Sequence, residues 1–469
     1  MKLCDLEYII KGTKGKLYAE AEGSYRQIRT VSIDSRKIEE DCLFFCTIGA
    51  RSDAHNYLPD VREKGCHNVV VSDLDWANKM RACRDMNVIL VDDTVQALMN
   101  LATMYMDDWK GLKKVGITGS VGKTSTKEFT YCVLSSKYRT GKTQGNLNSE
   151  FGIPLTCFSY DENIEMAVAE IGLGGGPDMK YLVDIIKPDA GIITTIGTSH
   201  LETFGNSQVE LQEAKLRITS GMHNGGTLVV NSNCQYLTPD EVNKHAKGDF
   251  KLVTVGSAED AMYRLTDICD KGIDGVKCTL EIANIGSYEL ALPVIGAHNL
   301  FNAAEAVAIG GVFGVCPEDA IDALARVEMV SNRLDVRRGE RFVVVNDTYN
   351  ASPESMKAGI DIMMASNARR RGVILGDMFE LGENSAKLHA SVGEYAAEKG
   401  IDFLITVGEN SKSIAEGARK VNPKLNITSY DTRDEACEHI LEVLEDGDVM
   451  LVKASRGMAL EVLSDAISL

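Results

Sequence analysis

Apolar residues recur along the chain in two alternating rhythms. One is a short run bounded by turn residues; the other is a longer stretch with apolar positions three and four apart. Strands and helices in alternation predict an α/β protein with mostly parallel sheets. Early in the chain, strand-like runs fall at Cys42–Thr47 and Asn68–Val71. Asp92-Asp93-Thr94 then predicts the cap of a connecting helix that runs to about Trp109. Val115–Thr118 reads as the end of a buried strand, and Phe129, Cys132 and Val133 mark one face of the helix after it. Met166–Ala169 and Gly191–Gly197 read as strands and Ser207–Met222 as a helix. Gly225–Cys278 looks β-rich, and a helix of small residues follows His298-Asn299.

From about residue 332 the alternation becomes regular. Strands are expected at Phe342–Asn346, Gly372–Leu375, Phe403–Val407, Ile427–Tyr430 and Val449–Val452, with helices near Pro353, Ser385, Ser411, Arg433 and Met458. The whole divides into three domains. Residues 1–87 form a small α/β N-terminal domain and 88–331 a central P-loop parallel-sheet domain. Residues 332–469 form a C-terminal Rossmann-like domain without GxGxxG, so no dinucleotide is indicated. A chain of 469 residues needs more than one core.

Composition narrows the function classes. With 44% hydrophobic and 25% charged residues the chain reads as soluble and globular. A net charge of -18 argues against a general nucleic-acid or anionic-membrane surface, although single loops can still be basic. No run of about 20 apolar residues suggests a membrane span, and the first thirty residues lack a signal-peptide core. Twelve cysteines are scattered without a CxxC pair. Cys42 and Cys46 lie close, but nothing completes a zinc site, so free thiols in a reducing cytoplasm are expected.

The chemistry centres on Gly119-Ser120-Val121-Gly122-Lys123-Thr124-Ser125, set between a strand and a helix. Such a turn closes backbone N–H groups around phosphate oxygens, with a lysine as mobile cation and a hydroxyl for Mg²⁺. The longer form of this loop has a glycine five residues before Gly122. Ile117 stands there, so this is the shorter GxxGKT form. Glu170 and His200 follow two further strands, where α/β sheets gather ligands. Alone, Glu170 reads equally as a solvated strand end and His200 as a loop histidine; together with Thr124 they suggest a metal–nucleotide site. Lys215 alone reads as a solvated charge, and Asn299 as either cap or ligand contact. Ser35, Arg36, Arg51, Asp53 and His55 sit in turns that a solvated loop would equally explain. The turns Asp347-Thr348-Tyr349-Asn350, Gly376-Asp377-Met378 and Lys453-Ala454-Ser455-Arg456 fall at the ligand-binding edge of the last sheet.

Nearly the whole chain resembles the Mur ligases. The segments are DSRKIEEDCLFF, GARSDAH, TGSVGKTSTKEF, TQGNLNSEFGIPLT, AEIG, TSHLETFGNSQVELQEAK, GAHNLFNAAEA, SNRLDV, NDTYNASPESM, LGDMFELGENSAKLH and LVKASRGMALE. NDTYNASPESM and LGDMFELGE resemble the branch of the family that adds a dipeptide. The resemblance implies a cytoplasmic, monomeric, ATP- and Mg²⁺-dependent ligase with a UDP-sugar domain, a central ATPase domain and a domain delivering the amine. Its implied substrates are UDP-N-acetylmuramoyl-tripeptide and D-alanyl-D-alanine. It also implies roles by position. Lys123 would hold phosphates, and Thr124, Glu170, His200 and Lys215 would serve the metal, Lys215 as a carbamate. Asn146 would act near the γ-phosphate and acyl group, and Asn299, Arg333 and Asp347 would contact nucleotide. Ser35, Arg36, Asp53, His55 and Asn148 would meet the UDP-sugar substrate, and Tyr349 and Asn350 the amine. A relative coupling another amine or acid, or a nucleotide-binding module without turnover, are the alternatives.

Overall fold

The structure is a computed structural model that describes residues 2–23, 25–39, 41–49, 52–172, 179–197, 204–205, 207–223, 225–327 and 332–468. Its first large sheet has five strands in the order Lys16–Ala19, Asn87–Leu90, Asn68–Val71, Cys42–Phe45 and Thr30–Ser32. All neighbours pair in parallel except the first two. Cys42–Phe45 and Asn68–Val71 are buried along their whole length, as parallel strands covered on both faces must be. The expected boundary between residues 87 and 88 falls inside this sheet, whose last strand ends at Leu90. Cys42 and Cys46 pack in its apolar core beside Phe44, Val69 and Val71.

The connector forms as Thr94–Asp108, capped by Asp93, whose Oδ1 accepts from Val95 N at 2.7 Å and Gln96 N at 3.0 Å. It packs against Leu6–Thr13 of the first unit and against Gly152–Ser159 and Met179–Ile186 of the central one. One apolar core runs through all four helices.

Nine strands make the central sheet, in the order Gly286–Leu292, Val276–Ile282, Tyr263–Asp270, Phe250–Gly256, Gly226–Asn231, Ala190–Ile193, Lys113–Thr118, Met166–Glu170 and Thr140–Lys142. The phosphate-loop strand Lys113–Thr118 thus lies between the two strands expected beside it. Ile117 is fully buried there, paired with Ile192 on one side and Glu170 on the other. It belongs to the strand, which is why the loop starts only at Gly119. The β-rich stretch extends this sheet by three parallel pairings and then closes it with two antiparallel ones. Helix His298–Val312 lies against the phosphate-loop helix Lys123–Ser135. Its alanines and glycines permit the approach, since a Cβ at Gly310 would come within 2.6 Å of Val133 Cγ1.

The third sheet is ordered Asp335–Arg338, Val343–Asp347, Val449–Lys453, Arg371–Gly376, Phe403–Val407 and Asn426–Tyr430, parallel except for its first pair. The last strand of the chain inserts between two earlier ones, so the three turns singled out in the sequence follow adjacent strands. This unit docks on the central one through the short turn Gly272–Asp274. Ile273 N donates to Ser366 Oγ at 3.2 Å, and Arg338 Nη2 donates to Ile273 O at 3.1 Å and Asp274 Oδ1 at 3.0 Å. No helix among the described residues is long and apolar enough to cross a membrane.

Candidate active site

The phosphate loop is shaped by two close approaches. Gly119 has φ +151°, and a Cβ there would stand 1.9 Å from Thr194 Oγ1 on the neighbouring strand's exit. Gly122 has φ +90°, and its Cβ would meet Asn302 Oδ1 at 2.9 Å. Neither position admits another residue without displacing a neighbour. Ser120 N donates to Thr195 O at 2.8 Å, Ser120 Oγ accepts from Gly197 N at 2.9 Å, and Thr194 Oγ1 donates to Val121 O at 2.5 Å. These bonds tie the loop to the adjacent chain. Lys123 opens the helix, with Thr124 and Ser125 in its first turn. The Lys123 ammonium donates to Gly119 O at 2.8 Å and Ser120 O at 3.3 Å. Burial and the charge of Arg333 lower its pKa, against an opposing pull from Glu170.

Glu170 stands at the end of the next strand, buried, and is held from several sides. Its Oε2 accepts from Thr124 Oγ1 at 2.9 Å and its Oε1 from Asn148 Nδ2 at 2.8 Å. Its backbone N donates to Thr143 Oγ1 at 3.0 Å. Asn146 belongs to the same turn as Asn148, and its carbonyl accepts from Asn148 N at 2.8 Å. Asn148, expected to meet the UDP-sugar substrate, reaches Glu170 because the turn 144–148 folds over the phosphate-loop helix. The hydroxyl and carboxylate oxygens of Thr124 and Glu170 fit Mg²⁺, a hard cation that takes few protein ligands beside phosphates and water. Among the described residues no three His, Cys, Asp or Glu side chains cluster to hold a metal by themselves. His200 lies outside the described residues, as does Arg51. Lys215 is buried, and burial together with the nearby charge of Lys123 pushes its pKa well below the usual lysine value.

The third unit supplies the opposite wall. Arg333 and Arg456 stack over the Tyr349 ring at 3.8 and 5.0 Å. Buried Lys453 donates from Nζ to Asp347 Oδ2 at 2.6 Å and to Asn350 O at 2.8 Å, while Asp347 Oδ1 accepts from Leu334 N at 3.3 Å. Glu354, in the first turn of helix Pro353–Ala365, reaches the phosphate loop: a Cβ at Gly197 would lie 3.4 Å from Ser120 Cβ and 3.5 Å from the Glu354 carboxyl carbon. Asn299 is turned inward, donating to Ile295 O at 2.8 Å and accepting from Asn302 Nδ2 at 3.2 Å. It therefore supports the Asn302 side chain behind Gly122.

Residues of the first unit form a separate group. Arg36 makes a two-pronged bond with Asp34, Nε and Nη2 each at 2.9 Å, and this pulls the Asp34 carboxyl down to about 2. Ser35 O accepts from Lys64 Nζ at 2.7 Å. Asp53 Oδ1 accepts from His55 N at 2.9 Å and lies 2.6 Å from His55 Nδ1. His55 is fully buried and its Nε2 accepts from Ser72 N at 3.1 Å. Both ring nitrogens are bonded within the protein, so His55 braces the turn that carries Asp53.

Lys127, Glu128, Thr194 and Glu354 were not singled out in the sequence. Only Lys127 and Glu128 carried a local signal, lying four positions beyond Lys123 and Thr124 respectively, one helical turn on.

Comparison with known proteins gives the same picture along the whole chain. Residues 117–310 match the Mur ligase middle domain, and residues 332–456 match the Mur ligase glutamate ligase domain. A UDP-N-acetylmuramoyl-tripeptide–D-alanyl-D-alanine ligase of Bacillus subtilis is 34% identical over 466 residues, covering 98% of this chain and 97% of the relative. The crystal structure I of MurF from Acinetobacter baumannii has a TM-score of 0.89 at 27% identity, covering 100% of this chain and 99% of that one. MurF ligase from Thermotoga maritima, in complex with ADP, has a TM-score of 0.79 at 25% identity over 94% and 97% of the two chains. The three-domain α/β architecture is shared with these structures. Its phosphate loop, the carboxylate beside it and the wall that faces them lie in matched regions, and the chain belongs to the Mur ligase family.

Proposed function

We propose that this chain is an ATP-dependent, ADP-forming ligase that joins D-alanyl-D-alanine to UDP-N-acetylmuramoyl-tripeptide during peptidoglycan precursor synthesis, as a cytoplasmic monomer. The observation that carries this reading is the Thr124–Glu170–Asn148 cluster at the mouth of the phosphate loop, with Arg333 and Glu354 reaching it from the third unit. The named relatives supply the substrate class.

A carboxylate acylates an amine poorly because oxide would have to leave. Transfer of the γ-phosphoryl group of ATP onto it gives an acyl phosphate and ADP. The amine then attacks the acyl carbon, and the tetrahedral intermediate expels phosphate to leave the amide. In this scheme the Gly119–Ser125 loop cradles the phosphates, and Lys123 exchanges two loop carbonyls for phosphate oxygens. Mg²⁺ held at Thr124 and Glu170 would supply neutralising charge for the moving phosphoryl group. Arg333 adds a cation from the facing wall, and Asn146 and Asn148 position the acyl end. Ser35, Arg36 and Asp53 serve the UDP-sugar end; Tyr349 and Asn350 serve the amine. Docking of the third unit excludes water from the acyl phosphate.

Lys215 acts here as a carbamate. Its amine, kept short of protons by burial and by Lys123, adds to carbon dioxide; an N–C bond forms and one proton leaves, turning a cation into an anion. Lys215→Ala should lose most activity and regain part of it with added short carboxylic acids, and wild-type activity in that variant would remove Lys215 from the mechanism.

The deciding measurement is phosphate release with UDP-N-acetylmuramoyl-tripeptide, offering D-alanyl-D-alanine beside single amino acids and other dipeptides. Release dependent on D-alanyl-D-alanine is expected. Turnover only with another amine would keep the ligase and discard the substrate; no turnover with any amine would leave a nucleotide-binding module.

A further inference from the structure

Lys127 lies one turn beyond Lys123, with a side chain fully removed from solvent. An ammonium group so placed must be met by charge and hydrogen bonds. Three oxygens meet it: Gly145 O at 3.2 Å, Glu128 Oε1 at 3.2 Å and Glu170 Oε2 at 3.6 Å. Glu128, also buried, pairs through its other oxygen with Lys142 on strand Thr140–Lys142. The Lys142 ammonium in turn sits over the Tyr131 ring at 4.2 Å. Charges of alternating sign therefore run from the partly exposed Lys142 inward through Glu128 and Lys127 to Glu170.

Stability alone is a weak reason for such a line, because well-packed apolar side chains commonly do as well or better. Its inner end suggests another reason. Lys127 approaches the same Glu170 oxygen that receives Thr124. It also holds the carbonyl of Gly145, whose φ of +52° opens the turn that carries Asn146 and Asn148. Asn148 closes the circuit on the other Glu170 oxygen. One ammonium group thus fixes the carboxylate directly by charge and indirectly through the turn.

We propose that Lys127 is a positioning residue that sets the Glu170 carboxylate and the Gly145–Asn148 turn for nucleotide-bound Mg²⁺, a role that rests on the metal–nucleotide reading given above. Calorimetric titration of ADP into the full-length chain, with and without Mg²⁺, tests it without turnover. In Lys127→Met the gain in ADP affinity that Mg²⁺ confers should fall by roughly 10-fold or more, as for other partners of metal ligands, while Mg²⁺-free affinity is unchanged. Lys127→Gln keeps a donor for Gly145 O without the charge and should fall between. Lys142→Met opens only the outer end, so it should lower the melting temperature and leave the Mg²⁺ gain at the wild-type value.

An unchanged Mg²⁺ gain in Lys127→Met, or an equal loss in Lys142→Met, would reduce the network to scaffolding and overturn the proposal. If Lys127→Met does not fold, Lys127→Gln against Lys142→Met decides, and equal gains in those two overturn it. Absence of any Mg²⁺ gain in the wild type overturns the metal reading, and this proposal with it, whereas a wild-type gain that Lys127→Met retains overturns this proposal alone.

Discussion

Glu305 shows how far a single residue can depart from its usual state in this fold. It lies on helix His298–Val312, fully buried, and neither carboxyl oxygen has a hydrogen-bond partner among the described residues. Burial raises its pKa well above the normal glutamate value; the Thr126 hydroxyl is near enough to oppose this but not in hydrogen-bonding geometry. Burial therefore favours the neutral acid in the folded chain. Below about pH 4.3 the unfolded chain is protonated too, and the residue has no pH-dependent cost. As pH rises past that value the unfolded chain ionises first, so stability falls until the folded-state pKa is reached. Glu305→Gln should therefore raise the melting temperature at pH 8 and make little difference at pH 4; equal shifts at both would refute a buried neutral acid. At the cleft, Glu170→Gln keeps an acceptor for Thr124 but loses the charge, and phosphate release should drop about 10²-fold or more. At this scale Lys123 and Thr124 were legible because their neighbours in sequence are also their neighbours in space. The partners of His55 and Asn148 were not, since Ser72 and Glu170 come from elsewhere in the chain.

The phosphate loop is the element whose local sequence says most. Strand, glycine turn and helix occupy one continuous stretch, and the buried pairing of Ile117 explains the short form of the loop. What the stretch does not contain is the reason for Gly119, which is Thr194 arriving from the adjacent strand. Gly119→Ala would set a Cβ 1.9 Å from Thr194 Oγ1 and 3.1 Å from its Cβ. ADP binding should be lost in Gly119→Ala, with far-UV circular dichroism close to wild type, and partly restored by adding Thr194→Ala. Restoration failing entirely would mean that the backbone conformation at φ +151°, and not the collision, sets the requirement. The β-rich stretch was harder to place. Alternating apolar positions specify strands, but an edge hairpin and a separate β unit carry the same alternation. Only the pairing of its first strand, Gly226–Asn231, with Ala190–Ile193 made it part of the central sheet.

At the scale of the whole molecule, docking of the third unit brings Arg333 and Glu354 to the phosphate loop. Gly272 sits in that joint with φ +62°, and a Cβ there would lie 2.3 Å from Ser366 Oγ and 2.4 Å from its backbone nitrogen. Gly272→Val should wedge the joint open. Small-angle scattering should give a larger radius of gyration, ADP binding should persist, and phosphate release should fall; an unchanged radius with full activity would show that the joint yields without cost. The sequence by itself determined the α/β class, the three successive units, the phosphate loop and the strands that follow it, because hydrophobic period and turn chemistry are local properties. Tertiary structure alone decided where the first sheet ends, which nitrogens and carboxylates were free, and that Lys127 stands under Glu170. The reason is physical: burial, strand order and the partners of a polar group depend on segments far apart in the chain.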